Sequence, residues 1–175
     1  MSFRPKYLAH VNVYVRDVEY SHAWYADLLG LHTYDYRPGK AAFMSADEDE
    51  SHELALMQVG ADAPLQRPGQ VGLNHMAWRV ESLDDLKEFY QRLKIKGVPI
   101  ASVVGHGISL GIYFHDPDGH ASRSITSCRA RSGRDRSGFS PRIWLTEVYF
   151  PARGTRMSRP DIGPQLLEVR DDQEI

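Results

Sequence analysis

Cysteine is almost absent: Cys128 is the single one in 175 residues. No internal disulfide framework and no cysteine-based zinc site can be built, which agrees with a reducing compartment and a cytoplasmic location, and Cys128 itself reads as inert. Neither sign of charge dominates, since 21 Lys and Arg stand against 23 Asp and Glu for a net −2. Nothing here draws in a nucleic-acid backbone or an anionic membrane. No stretch approaches the roughly 20 apolar residues that span a bilayer, and the opening MSFRPKYLAH lacks an apolar run with a cleavage site. The partner expected by elimination is a small molecule. Lysine is also missing from part of the chain: residues 124–175 hold nine arginines and no lysine, whereas residues 1–123 hold seven arginines and all five lysines. The composition changes near residue 120.

What is present is a repeat. A shift of about 65 residues superposes His10 on His75, Val18 on Leu83, Tyr25 on Tyr90 and Leu28 on Leu93. In the first copy His10 to Val15 alternates, so Val11, Val13 and Val15 share one face of a strand while His10, Asn12 and Tyr14 share the other. In the second, Met76, Trp78 and Val80 oppose His75, Ala77 and Arg79. One face of each strand is suited to packing on a helix, which leaves the histidine face to line a cavity. Asp17 offers an N-cap to a helix carrying Val18, His22, Tyr25 and Leu28 or Leu29 and ended by Gly30. Ser82, three residues before Asp85, repeats the start signal for a helix with Leu83, Leu86, Phe89 or Tyr90 and Leu93, ended by Gly97.

Short strands are predicted over 31–37, 40–44 and 53–59 in the first copy, and over 98–103 and 108–114 in the second, with a last strand after Asp116-Pro117-Asp118-Gly119. The fold class is therefore α+β, built from two βαβββ modules at 1–59 and 73–128. Residues 60–72 form the linker, and an atypical, irregular tail covers 129–175.

A histidine on a strand is usually a hydrogen-bonded packing residue. Two in register on duplicated strands point instead to one shared ion, bound by neutral imidazoles. The strings HVNVYVRDVEYSHAWYADLLGL, HELALMQVG, GLNHMAWRVESLDDL and GHGISLGIYFHDPDGH resemble the vicinal oxygen chelate superfamily, the glyoxalase, bleomycin-resistance and extradiol dioxygenase group. The resemblance covers roughly residues 7 to 120 and runs closest to small catechol dioxygenase-like proteins. It implies an open, U-shaped eight-stranded sheet around a metal, and a homodimer.

The resemblance also implies that His10 and His75 are metal ligands, with iron(II) first and nickel, zinc or manganese as alternatives. Tyr113 would hydrogen-bond the metal-bound oxygen of a catechol, and His106 would act as acid or base near the oxygen site. Glu53 is an alternative carboxylate ligand, as in glyoxalase-type lyases and isomerases, although the acidic run from Asp47 to Glu50 before it also reads as a solvated strand start. His22, His32, His115 and His120 have no matched spacing and receive no role. The chain is thus expected to be a ring-cleaving, dioxygenase-like oxidoreductase. A glyoxalase-type enzyme and a metal-free, drug-sequestering protein remain alternatives.

One departure stands out. The resemblance implies a glutamate as third ligand in the strand after the DPDG turn, and that slot is Arg123. A guanidinium has no lone pair to offer, and its charge repels a divalent cation. Residues 121–129 can be encoded so that reading from the third base gives Ile-Glu-Val-Asn-Tyr-Glu-Leu-Pro, with glutamate in the slot of Arg123. One base lost near codon 121 would explain both the arginine and the altered tail. The rival is a genuine tail, in which Ile143 to Phe150 forms a strand and Glu147 substitutes as ligand.

Overall fold

The computed structural model describes residues 3–67, 69–105 and 109–127. His106, Cys128 and the expected strand with Glu147 lie outside them. In chain order the elements are β1 (Val11–Val15), α1 (Val18–Leu29), β2 (His32–Arg37), β3 (Ala41–Ser45), β4 (Leu54–Gln58), β5 (Met76–Arg79), α2 (Leu83–Ile95), β6 (Ile100–Gly105), β7 (Ser109–His115) and β8 (Ala121–Ser127). This is βαβββ written twice. Among the described residues two compact units result: the chain up to Val71 with Asp116–His120, and Gly72–His115 with the last strand from Ala121. The turn between β7 and β8 therefore groups with the first unit.

In the first unit the sheet order is β1-β4-β3-β2. β1 runs parallel to β4, with Val11 opposite Leu54 and Val13 opposite Leu56, and the other pairs are antiparallel. Because side chains alternate, Val13, Val15, Leu54, Leu56, Ala42 and Met44 form one buried face. Against it α1 packs Val18, Tyr25 and Leu28, all buried. Asp17 caps α1 by accepting from the Tyr20 N–H, and Gly30 closes it in the left-handed region at φ 72°.

The second unit repeats the order as β5-β8-β7-β6, with β5 parallel to β8. Ser82 and Asp85 make a reciprocal capping box at the start of α2. The helix buries Leu86, Phe89, Tyr90 and Leu93, and Phe89 meets Phe114 at a ring separation of 5.3 Å. The core face below it carries Leu110, Ile112 and Phe114 from β7, and these pair with Thr126, Ser124 and Ser122 of β8. Those three hydroxyl residues are 3%, 1% and 0% exposed.

Candidate functional site

His10 stands immediately before β1 and is exposed. Parallel pairing of β1 with β4 brings the residues ahead of each strand to the same end of the sheet, so His52 arrives beside it. The two rings lie 4.6 Å apart at 40°, and Phe43 meets His52 edge-on at 5.2 Å. His52 Nδ1 is 3.1 Å from Ser51 Oγ. The sequence reading missed His52, although the parallel strand pairing of a βαβββ unit was a signal for it. Glu53 is committed elsewhere: its Oε2 accepts from Ser45 Oγ at 3.1 Å and from the Ala46 N–H at 3.0 Å.

In the second unit His75 precedes β5 and is half-buried. Its ring meets Tyr113 of β7 edge-on at 5.4 Å. Ala77 pairs with Arg123 on β8, and Arg123 pairs with Tyr113 on β7, so by strand alternation His75, Arg123 and Tyr113 share the face turned away from α2. Arg123 lays its guanidinium over the Tyr113 ring at 5.2 Å and donates from Nη2 to Ser109 Oγ at 3.3 Å. Its Nε is buried with no hydrogen-bond partner among the described residues. Space for this side chain exists because Gly111 lacks a Cβ, which would collide with Arg123 Nε. The face thus carries an imidazole, a phenol and a fixed positive charge.

The 116–120 turn does structural work in the first unit. Asp116, 5% exposed, accepts from Tyr25 Oη at 2.9 Å, from the His120 N–H at 2.7 Å and from the Asp118 N–H at 3.0 Å, and its Oδ2 lies 2.8 Å from His120 Nδ1. Asp118 accepts from Arg16 Nε at 2.9 Å and from Ser21 Oγ at 3.3 Å. The hydrogen bond to Asp116 raises the His120 pKa above its ordinary 6.5, against the opposing pull of burial. His120, given no role from sequence, is a partner of a buried carboxylate.

The donor set read from the sequence is therefore two histidines and a guanidinium. It does not fit a divalent ion that needs a third lone-pair ligand. Among the described residues no three His, Cys, Asp or Glu side chains gather as an ion site.

The sequence model of the Glyoxalase/Bleomycin resistance protein/Dioxygenase superfamily matches residues 7–122. The chain belongs to this superfamily. Two curated relatives from Rhodococcus globerulus are similar to it: biphenyl-2,3-diol 1,2-dioxygenase 2, at 32% identity over 120 residues, and biphenyl-2,3-diol 1,2-dioxygenase 3, at 35% over 121 residues. Each alignment covers 69% of this chain and 62% of the relative, so the chain spans less than two thirds of their length. Among solved structures, a glyoxalase/dioxygenase from Nostoc punctiforme superposes with TM-score 0.60 at 21% identity, covering 73% of this chain and 97% of that one. A glyoxylase/bleomycin resistance protein/dioxygenase domain from Frankia gives TM-score 0.59 at 24% identity, covering 71% and 99%. These likenesses establish the superfamily fold with its paired βαβββ modules.

Proposed function

We propose that this chain is an extradiol dioxygenase-type protein for catechol-like aromatic diols, impaired because Arg123 occupies the position of the third metal ligand. The observation that carries the reading is the row on the open face of the second unit, His75 beside Tyr113 with Arg123 across it. It is supported by the two relatives named as biphenyl-2,3-diol dioxygenases. Iron(II), were a carboxylate to join the two histidines in holding it, would supply the redox chemistry that joins a catechol to dioxygen. In this proposal His10 and His75 are the histidine ligands and Tyr113 orients the diol oxygen. His52, whose ring lies 4.6 Å from that of His10, would hold or move a proton. The protein acts in the cytoplasm as a homodimer, on a small molecule alone.

The test is iron content and oxygen uptake with biphenyl-2,3-diol for this chain beside Arg123→Glu, both checked for folding by circular dichroism. The unaltered chain is expected to hold little iron and turn over negligibly, and the substitution to raise iron occupancy several-fold. Equal and negligible iron in two folded proteins would sink the metal-ligand assignment. Brisk oxygen uptake by the unaltered chain would sink the impairment.

A second reading draws on Arg123 itself. A guanidinium fixed over Tyr113 favours an anionic phenolate or carboxylate without any metal, as in a sequestering protein. Catechol binding that is undiminished by a chelator and lost in Arg123→Glu would select it. The glyoxalase-type reading would require Glu53 to abandon Ser45 and Ala46.

A further inference from the structure

The chain contains its own control for β8. β4 in the first unit and β8 in the second occupy equivalent places, each parallel to the first strand of its module. The core positions of β4 are Leu54 and Leu56, opposite Val11 and Val13, and both are 0% exposed. The corresponding positions of β8 are Ser122 and Ser124, opposite Met76 and Trp78, at 0% and 1% exposure. They are flanked on the other side by Phe114 and Ile112. A strand facing apolar neighbours on both sides and a helix above should carry apolar side chains there.

The misfit is visible in the hydrogen bonding. Four buried side-chain polar atoms lack a partner among the described residues, and three of them, Trp78 Nε1, Ser122 Oγ and Arg123 Nε, lie along the β5–β8 seam. Native structures satisfy nearly all such atoms, so their concentration on one strand pair marks a local fault.

The genetic code converts this fault into a specific origin. Where Ser122 is encoded by a TC-type codon, the triplet overlapping it from the third base of the Ala121 codon has the form NTC. It encodes Phe, Leu, Ile or Val whatever that base is. The same holds for Ser124 after Arg123. Between them, the last base of the Ser122 codon with an AG-type arginine codon encodes glutamate when that base is G. For Thr126 the overlapping triplet encodes Tyr, His or Asn. With TC-type serine codons the neighbouring frame places apolar residues at the two most buried positions of β8, and with an AG-type arginine codon after a G it places glutamate on the open face at 123. With those codon types, one shift would meet two independent requirements, one for core packing and one for the metal.

We infer that β8 is translated one base out of the frame for which this fold is built, so that Arg123 on the open face and the hydroxyls in the core share a single cause. The packing half of the inference does not depend on the catalytic proposal. It is tested in the full 175-residue chain by thermal unfolding of Ser122→Ala, the double variant Ser122→Ile with Ser124→Val, and Arg123→Glu, together with the nucleotide sequence across codons 118–130.

Ser122→Ala removes an unpartnered hydroxyl without adding volume and is expected to raise Tm by about 2 °C. The double variant is expected to raise it by about 5 °C. The DNA is expected to show TC-type codons at 122 and 124 and an open neighbouring frame through codon 129. A fall in Tm for both core variants would mean that the serines are at home, and the inference would be wrong. A stop codon in the neighbouring frame, or an AG-type codon for either serine, overturns it equally. Should the core variants gain stability while Arg123→Glu gains no iron, the frame inference stands and the metal proposal falls.

Discussion

Asp116 collects a phenol, two backbone N–H groups and an imidazole around one buried carboxylate, so the protonation of His120 becomes a stability question. The folded-state pKa of His120 is raised above 6.5, chiefly by its hydrogen bond to Asp116. Protonated His120 therefore stabilises the fold, fully below about pH 6.5 and progressively less as pH rises through the raised folded value. A charge-assisted hydrogen bond of this kind is worth about 1.5–3 kcal/mol. Thermal unfolding from pH 5.5 to 8.5 is expected to show a decline on the alkaline side that is flattened in His120→Gln. A wild-type and a variant profile that stay parallel across that range would refute the assignment. Sequence reading found the DPDG turn but not this network, because the partners Arg16, Ser21 and Tyr25 lie about 90 to 100 positions away and no local spacing announces them. By contrast Arg123 was legible as a departure from a resemblance, and the structure adds what it touches.

At the scale of strands, β7 and β8 fit together only by mutual accommodation, since the bare backbone of Gly111 is covered by the Arg123 side chain. Gly111 has no positive φ, and the three nearest atoms to a Cβ there all belong to Arg123. The penalty for a methyl group is thus conditional on the arginine. Gly111→Ala is expected to cost about 1–3 kcal/mol in the unaltered chain, as overpacking does. In an Arg123→Ser background it should be close to neutral, giving a coupling of about 1 kcal/mol or more in a double-mutant cycle read by urea denaturation. Additive effects would show that the guanidinium does not fill that space. Element boundaries were legible because each helix carries its own stop and start chemistry: Asp17 and Gly30 bound α1, and Ser82 with Asp85 opens α2. Strand ends moved by one or two residues, as at β1, which begins at Val11 rather than His10. The polarity of the β8 core face was not foreseen, since Ala-Ser-Arg-Ser-Ile-Thr-Ser alternates too weakly to declare which side is buried.

Duplication lets one half of the molecule serve as the measure of the other. Both units use the same strand order and the same parallel pairing between first and last strands, yet the pairing is sealed by leucines in one and by serines in the other. Apolar burial contributes about 0.8 kcal/mol per methylene, so replacing two leucines by serines removes several kcal/mol of support from the β5–β8 seam. Stability within a protein is distributed accordingly, with the least supported hydrogen bonds opening first. A backbone bond of similar length closes each seam, with donor and acceptor strands exchanged: Val59 N–H, after β4, donates to Val15 of β1 in the first unit, and Val80 N–H, after β5, donates to Ile125 of β8 in the second, at 2.9 and 2.8 Å. Similar lengths with unequal cover make a clean comparison by hydrogen exchange. The amides of β5 and β8 are expected to exchange at least about tenfold faster than those of β1 and β4, a difference of about 1.4 kcal/mol in opening free energy. The gap should narrow in the Ser122→Ile, Ser124→Val variant. Equal protection of both seams in the unaltered chain would mean that the hydroxyl-lined strand is no weaker than its leucine-lined counterpart, and that the asymmetry of the two modules has no energetic consequence.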